Sequence, residues 1–120
     1  MLVQIERATG DGRTGANLDD EVATVIKHGL LVENRSLVSW GFNRLWVEIK
    51  VTEPTAPEGP PHSRGSPTDG IQTDRSFHQH GPEMLAGTYG QGYASDTLNY
   101  IALANTTSFT PSAEKVRHFL

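Results

Sequence analysis

The chain has 120 residues, 36% hydrophobic and 20% charged, with a formal net charge of −4 and no cysteine. That composition is too apolar for a disordered tail and too polar for a membrane protein, and no run reaches the ~18 apolar residues of a spanning helix. The lack of cysteine excludes disulfides, thiolate nucleophiles and cysteine zinc sites. An acidic balance without a basic stripe argues against a nucleic-acid partner.

Residues 1–10, MLVQIERATG, carry neither the basic start nor the apolar stretch of a secretory signal. Residues 2–8 read as a short strand or the end of a helix, and residues 9–15, TGDGRTG, read as a glycine-rich turn. Asn17 follows as an N-cap residue type. Leu18, Val22, Val25, Ile26 and Leu30 then recur at spacings of three and four, one helix face. Asp19, Asp20 and Glu21 fall in the first turn, where the helix dipole favours acids, and His28 and Gly29 suit the helix end. A second helix is expected from Asn34 through Leu37, Val38, Phe42, Leu45, Trp46 and Ile49. The short connection makes the pair an antiparallel hairpin.

Segment 52–74 holds five of the seven prolines, Pro54, Pro57, Pro60, Pro61 and Pro67, with Gly59, Gly65 and Gly70 among them. Proline removes a donor and turns the preceding residue away from helix, so this segment reads as a flexible insertion. Residues 76–80, SFHQH, read as briefly extended. A third helix is expected over 92–104, with Ala94, Leu98, Ile101 and Leu103 as its apolar positions. A fourth is expected from Thr110 as N-cap and Pro111 as first helical residue, carrying Val116, Phe119 and Leu120. The chain is thus predicted to be all-α.

Gly10, Gly12 and Gly15 match GxGxxG ahead of a helix. Residues 30–32 can serve as a second strand, with Glu33 near the place of a ribose-binding acid, the outline of a dinucleotide-binding domain. Against it, Asp11, Asp19, Asp20 and Glu21 would crowd a pyrophosphate with negative charge, and a third parallel strand is missing. His78 and His80 on an extended segment point the same way, as two metal ligands do. Zinc needs a third protein ligand, for which His62 and Asp74 are available; neither a metal nor a cofactor is expected. Alone, Asn17 reads as a cap and Tyr89 as a core or rim aromatic.

Taken together, Thr14-Gly15-Ala16-Asn17, then Asp74-Arg75-Ser76-Phe77-His78-Gln79-His80-Gly81-Pro82, then Gly87-Thr88-Tyr89-Gly90 resemble polysaccharide lyase family 8 enzymes in order and interval. That family includes hyaluronate, chondroitin AC and xanthan lyases. The resemblance implies a partial (α/α) toroid of antiparallel helical hairpins over residues 1–120, interrupted by the Pro/Gly-rich loop. It implies a carbon–oxygen lyase cleaving hyaluronan, chondroitin, xanthan or a related uronate polymer by β-elimination, in a secreted parent enzyme. Carried over by position, Asn17 binds the uronate carboxylate, His80 is the catalytic histidine and Tyr89 the catalytic tyrosine; Asn17, Gln79 and His80 contact substrate.

The chemistry suits these residue types. Removing the C5 proton beside a carboxylate builds a dianion-like enolate, and neutral amide donors lower that barrier. Imidazole titrates near neutrality, whereas a phenol near ~10 needs tuning before it serves as base. The base is therefore either Tyr89, which would then return the proton to the leaving oxygen, or His80.

Arg75 stands where the family has glycine, and segment 52–74 is longer than the family's connection. The family's arginines and aromatic patch fall beyond the matched residues, so the isolated chain is expected to be weakly active or inactive without the missing parts of the parent lyase. The competing readings are a catalytically silent carbohydrate-binding or interaction fragment and, further off, a dinucleotide-binding domain.

Overall fold

Apolar residues at helical spacing build the first two helices, α1 (Gly15–Leu31) and α2 (Arg35–Glu48). The computed structural model describes residues 13–52, 68–81 and 83–120. Residues 2–8, Gly10, Gly12, His62 and the five prolines of the expected insertion lie outside them.

Asn17 is not the cap of α1. Thr14 is the extended N-cap residue, at φ −140°, and Gly15 takes φ +60°. The Gly15 N–H donates to the Glu48 carboxylate, 33 residues away, at 2.6 Å. This cap is supplied by α2, so no local pattern reveals it. Asn34 does cap α2, accepting from the Leu37 N–H at 3.1 Å.

The two helices approach closely because two glycines allow it: a Cβ on Gly41 would run into Ile26, and one on Gly29 into Val38. The core between them holds Leu18, Val22, Val25 and Ile26 from α1 and Val38, Phe42, Leu45, Trp46 and Ile49 from α2. Each such side chain contributes about 1.5–3 kcal/mol when fully buried. Phe42 stacks on Trp46 and Phe109 at 5.6 and 5.2 Å, and Trp46 donates to the Phe109 carbonyl at 2.8 Å. The helix end covers 30–31, with Val32 as its C-cap, which removes the second strand of the dinucleotide reading.

The chain is mostly helical, as expected, with a small sheet beside the helices that the sequence reading lacked. This sheet has the order β1-β2-β3: β1 (Val51–Thr52) pairs parallel with β2 (Gly70–Gln72), and β2 pairs antiparallel with β3 (Phe77–His78). Both ends of the expected insertion are therefore structured. The buried Gln72 amide fixes them, donating to Thr52 Oγ1 at 2.7 Å and the Thr68 carbonyl at 2.6 Å. In the β2–β3 turn, Arg75 adopts φ +70°, a conformation that glycine takes without strain. That accounts physically for the glycine expected here from the family resemblance. Arg75→Gly should raise stability by about 1 kcal/mol, less the loss of the exposed Arg75 bond to the His118 carbonyl. A urea midpoint unchanged or lowered would contradict this.

Residues Ala86–Gly90 form a π-helical turn that runs into α3 (Gln91–Ala104). Its buried face is Tyr93, Thr97, Tyr100 and Ala104, whereas Leu98 and Leu103 are exposed. The helix is thus rotated from the expected face, because the tyrosines bury their rings and Thr97 meets a buried carboxylate. The last helix, α4 (Ala113–Phe119), is capped by Ser112, which accepts from the Lys115 N–H at 3.3 Å. Thr110, expected in that role, instead donates to the Ala104 and Thr107 carbonyls at 2.8 and 2.9 Å. No helix of the described residues is long and apolar enough to cross a membrane.

Candidate active site

The site is assembled around one buried carboxylate, that of Asp69. It accepts from Thr14 Oγ1 at 2.7 Å, from the Gln79 amide at 2.8 Å and from the Gly81 N–H at 3.1 Å. Gln79 is fully buried; its carbonyl oxygen accepts from the Ala16 N–H at 3.1 Å, and its NH2 also reaches the Thr14 carbonyl at 3.4 Å. The segment after β3 is thereby tied to the start of α1. Gln79, expected to contact substrate, thus lies beneath the site, with its amide engaged inside the protein.

The residues on either side of His80 are held by this network, and His80 itself is exposed at φ +60°. A non-glycine residue in this conformation costs of order 1–3 kcal/mol and needs surrounding structure to hold it there. The imidazole stands edge-on to the Tyr89 ring, with centroids 5.0 Å apart and planes at 85°. Tyr89 is half-buried on the π-helical turn. That turn is closed by the Gly90 N–H on the Leu85 carbonyl at 3.0 Å, and Leu85 in turn donates to the Phe77 carbonyl of β3 at 3.0 Å. Gly90 packs against Phe77 so closely that a Cβ would be crowded there.

Asn17 lies in the first turn of α1, half-buried, directly after Ala16. Among the described residues its side-chain amide has no hydrogen-bond partner. Ala16 and Tyr89 line one cavity of about 270 Å³, together with Asp20, Thr88, Gly92 and Asp96. The structure thus brings His80 and Tyr89 into contact and puts the start of the Asn17 helix beside them. His78, the other half of the HxH pair, is a residue of β3 itself, its backbone paired with Gly70 and bridged to Met84.

The start of α1 can lie directly against Gln79 because Gly15 has no side chain. A Cβ on it would collide with the Gln79 amide oxygen. Gly15→Ala should destabilise the protein by about 2 kcal/mol, from the positive φ and the displaced amide; thermal melting that matches the wild type would refute this.

Below the site lie two further buried carboxylates. Burial pushes the Asp19 carboxyl well above its ordinary range, against a bond from Thr97 Oγ1 at 3.2 Å. Burial likewise raises Glu48, against the Gly15 N–H and the neighbouring Lys50 and Arg44. Burial and these two acids together push the Tyr93 phenol far upward. Tyr93 therefore stays protonated and structural. Asp69 and Glu48 were not visible as site residues in the sequence. Asp69 sits beside a proline-rich segment and Glu48 at a helix end, and only the fold buries them.

No protein-family model matches the chain. It is 24% identical over 119 residues to chondroitinase-AC of Pedobacter heparinus, a match covering 99% of this chain and 15% of that enzyme. A solved structure of chondroitinase AC lyase, from work on its oligosaccharide complexes, superimposes with a TM-score of 0.73 at 24% identity, covering 89% of this chain and 14% of that one. The chain therefore spans about a seventh of the length of the enzyme it matches. These likenesses bear out the resemblance read from the TGAN, SFHQHGP and TYG motifs.

Proposed function

We propose, on the premise that this chain resembles polysaccharide lyase family 8, that it is the Asn–His–Tyr part of an (α/α) toroid lyase acting on a uronate polymer. The observation that carries this reading is the edge-on pairing of His80 with Tyr89, centroids 5.0 Å apart, beside the helix start that bears Asn17. The resemblance to a chondroitinase points to an acidic polysaccharide: chondroitin, hyaluronan, xanthan or a related chain.

Asn17 donates its unengaged amide hydrogens to the uronate carboxylate, spreading the charge that builds when C5 loses its proton. The Tyr89 phenolate takes that proton. The C5–H electrons form the C4–C5 double bond, the C4–O4 bond breaks, and the tyrosine proton passes to O4. The products are an unsaturated uronate end and a free hydroxyl, with no water consumed. His80, packed against the Tyr89 ring, assists by polarising the carboxylate. The exported location of the parent and the toroid closed by further hairpins belong to the same reading.

The test is to incubate the chain with hyaluronan, chondroitin and xanthan oligosaccharides, following ultraviolet absorbance of the unsaturated product and NMR signals of the Asn17 amide and the His80 and Tyr89 rings. Perturbation of these three residues by a uronate oligosaccharide, with product formation however slow, is the expected result. Binding without product, undiminished by Tyr89→Phe, would favour the silent carbohydrate-binding alternative. Neither binding nor product would sink both.

A further inference from the structure

The lyase reading names Asn17, His80 and Tyr89, but these lie on three separate segments: the first turn of α1, the residue pair after β3, and the π-helical turn. Something must fix the first two relative to each other, and the structure assigns that role to Asp69. We propose that the Asp69 carboxylate is the positioning residue of this site, holding His80 in its left-handed backbone conformation against Tyr89. This inference rests on the lyase reading for its purpose, though not for its geometry.

The argument is one of charge and donor count. Asp69 is 1% exposed and Gln79 is not exposed at all. A buried carboxylate is costly unless donors surround it, and charge-assisted bonds are about twice as strong as neutral ones. Here the donors come from both parts to be joined: Thr14 Oγ1 at the cap of α1, and the Gln79 amide and Gly81 N–H on either side of His80. His80 makes no such bond itself; it is the one residue between two tethers, and the chain can span that gap with φ at +60°. Gln79 then carries the constraint on to Ala16, next to Asn17. One carboxylate thus sets the spacing of the amide and the imidazole without touching either.

Removing the charge while keeping the shape should release His80. In Asp69→Asn either orientation of the amide sets an NH2 group against a donor, the Gly81 N–H on one side or the Gln79 NH2 on the other, and the tether fails on that side. Adding Gln79→Glu restores a donor–acceptor pair with the polarity reversed, because the new carboxylate accepts both from Asn at position 69 and from the Ala16 N–H.

The readout is the NMR shift of the His80 ring protons in the substrate-free chain, compared between variants at one fixed pH. In the wild type the Tyr89 ring displaces these shifts. Asp69→Asn should bring them to random-coil values with the circular dichroism unchanged, and Asp69→Asn/Gln79→Glu should return them. Where turnover is measurable, kcat should fall more than about tenfold in the single variant and recover in the double. A His80 shift unmoved by Asp69→Asn overturns the proposal, as does a folded double variant with His80 still released. Should Asp69→Asn fail to fold, the double variant decides: folded with the wild-type His80 shift supports the role, and unfolded or displaced refutes it. The shift is read without sugar, so a chain that cleaves no polymer would fail the lyase reading and leave this result standing.

Discussion

Tyr89→Phe is expected to lower unsaturated-uronate formation by about 10²–10⁴-fold, the usual worth of one general acid–base group. The substitution removes only the hydroxyl. The ring stays against His80 on the π-helical turn, whose closing bonds are made by the backbone. The loss should therefore appear in kcat, with KM nearly unchanged, because a proton-transfer group acts in the transition state and not in ground-state binding. On the proposed reading, in which the amide meets the carboxylate before and during the reaction, Asn17→Ala should lower kcat and raise KM together. Asn17→Asp should be worse than Asn17→Ala, because a carboxylate of similar shape would then face the uronate carboxylate with like charge. Steady-state rates on the best polymer check all three. A Tyr89→Phe enzyme with undiminished kcat would move the base to His80.

How far the site could be read from the sequence depends on where each constraint originates. The cap at Asn34 was legible because donor and acceptor lie three residues apart. The faces of α1 and α2 were legible because burial repeats with the helix period. The cap of α1 was not, because its acceptor is Glu48 on another helix. Without that knowledge Asn17, a good cap residue, takes the role that Thr14 holds. The fourth helix slipped for a related reason: Thr110 spends its hydroxyl on the preceding turn, leaving Ser112 as cap. Segment 52–74 read as loop throughout because proline dominates its composition, yet Thr52 and Gln72 pair across it in a parallel ladder. His80 and Tyr89 were legible as a pair only through the family motifs. Their contact depends on a left-handed backbone at His80 and on a buried aspartate, and periodicity encodes neither.

Folding stability is expected to fall as the pH rises from mildly acidic to neutral, opposite to the usual carboxylate behaviour. The carboxyls of Asp19 and Glu48 titrate near 3.8 and 4.5 when unperturbed, and burial raises both in the folded protein. Between the unfolded and folded values the native state binds more protons than the unfolded state, so stability declines with increasing pH across that window. The contribution is fully present below the unfolded values and is lost as pH passes through the folded ones. Each unit of elevation is worth about 1.4 kcal/mol. Burial is the main cause in both; Glu48, Asp96 and Asp20 add charge against Asp19, while the Gly15 N–H, Lys50 and Arg44 only partly offset the burial of Glu48. Asp74, held low by Ser76, acts with the opposite sign, but it is fully exposed and solvent screens it. Asp19→Asn should therefore stabilise the protein at neutral pH and flatten the profile, because Thr97 can still donate to the amide oxygen while the buried charge is gone. Urea midpoints between about pH 4 and 8 measure this directly. A wild-type profile that rises towards neutrality, or an Asp19→Asn variant with the same slope, would mean that these carboxylates are solvated in solution and that the floor beneath Asn17 is wetter than the packing implies.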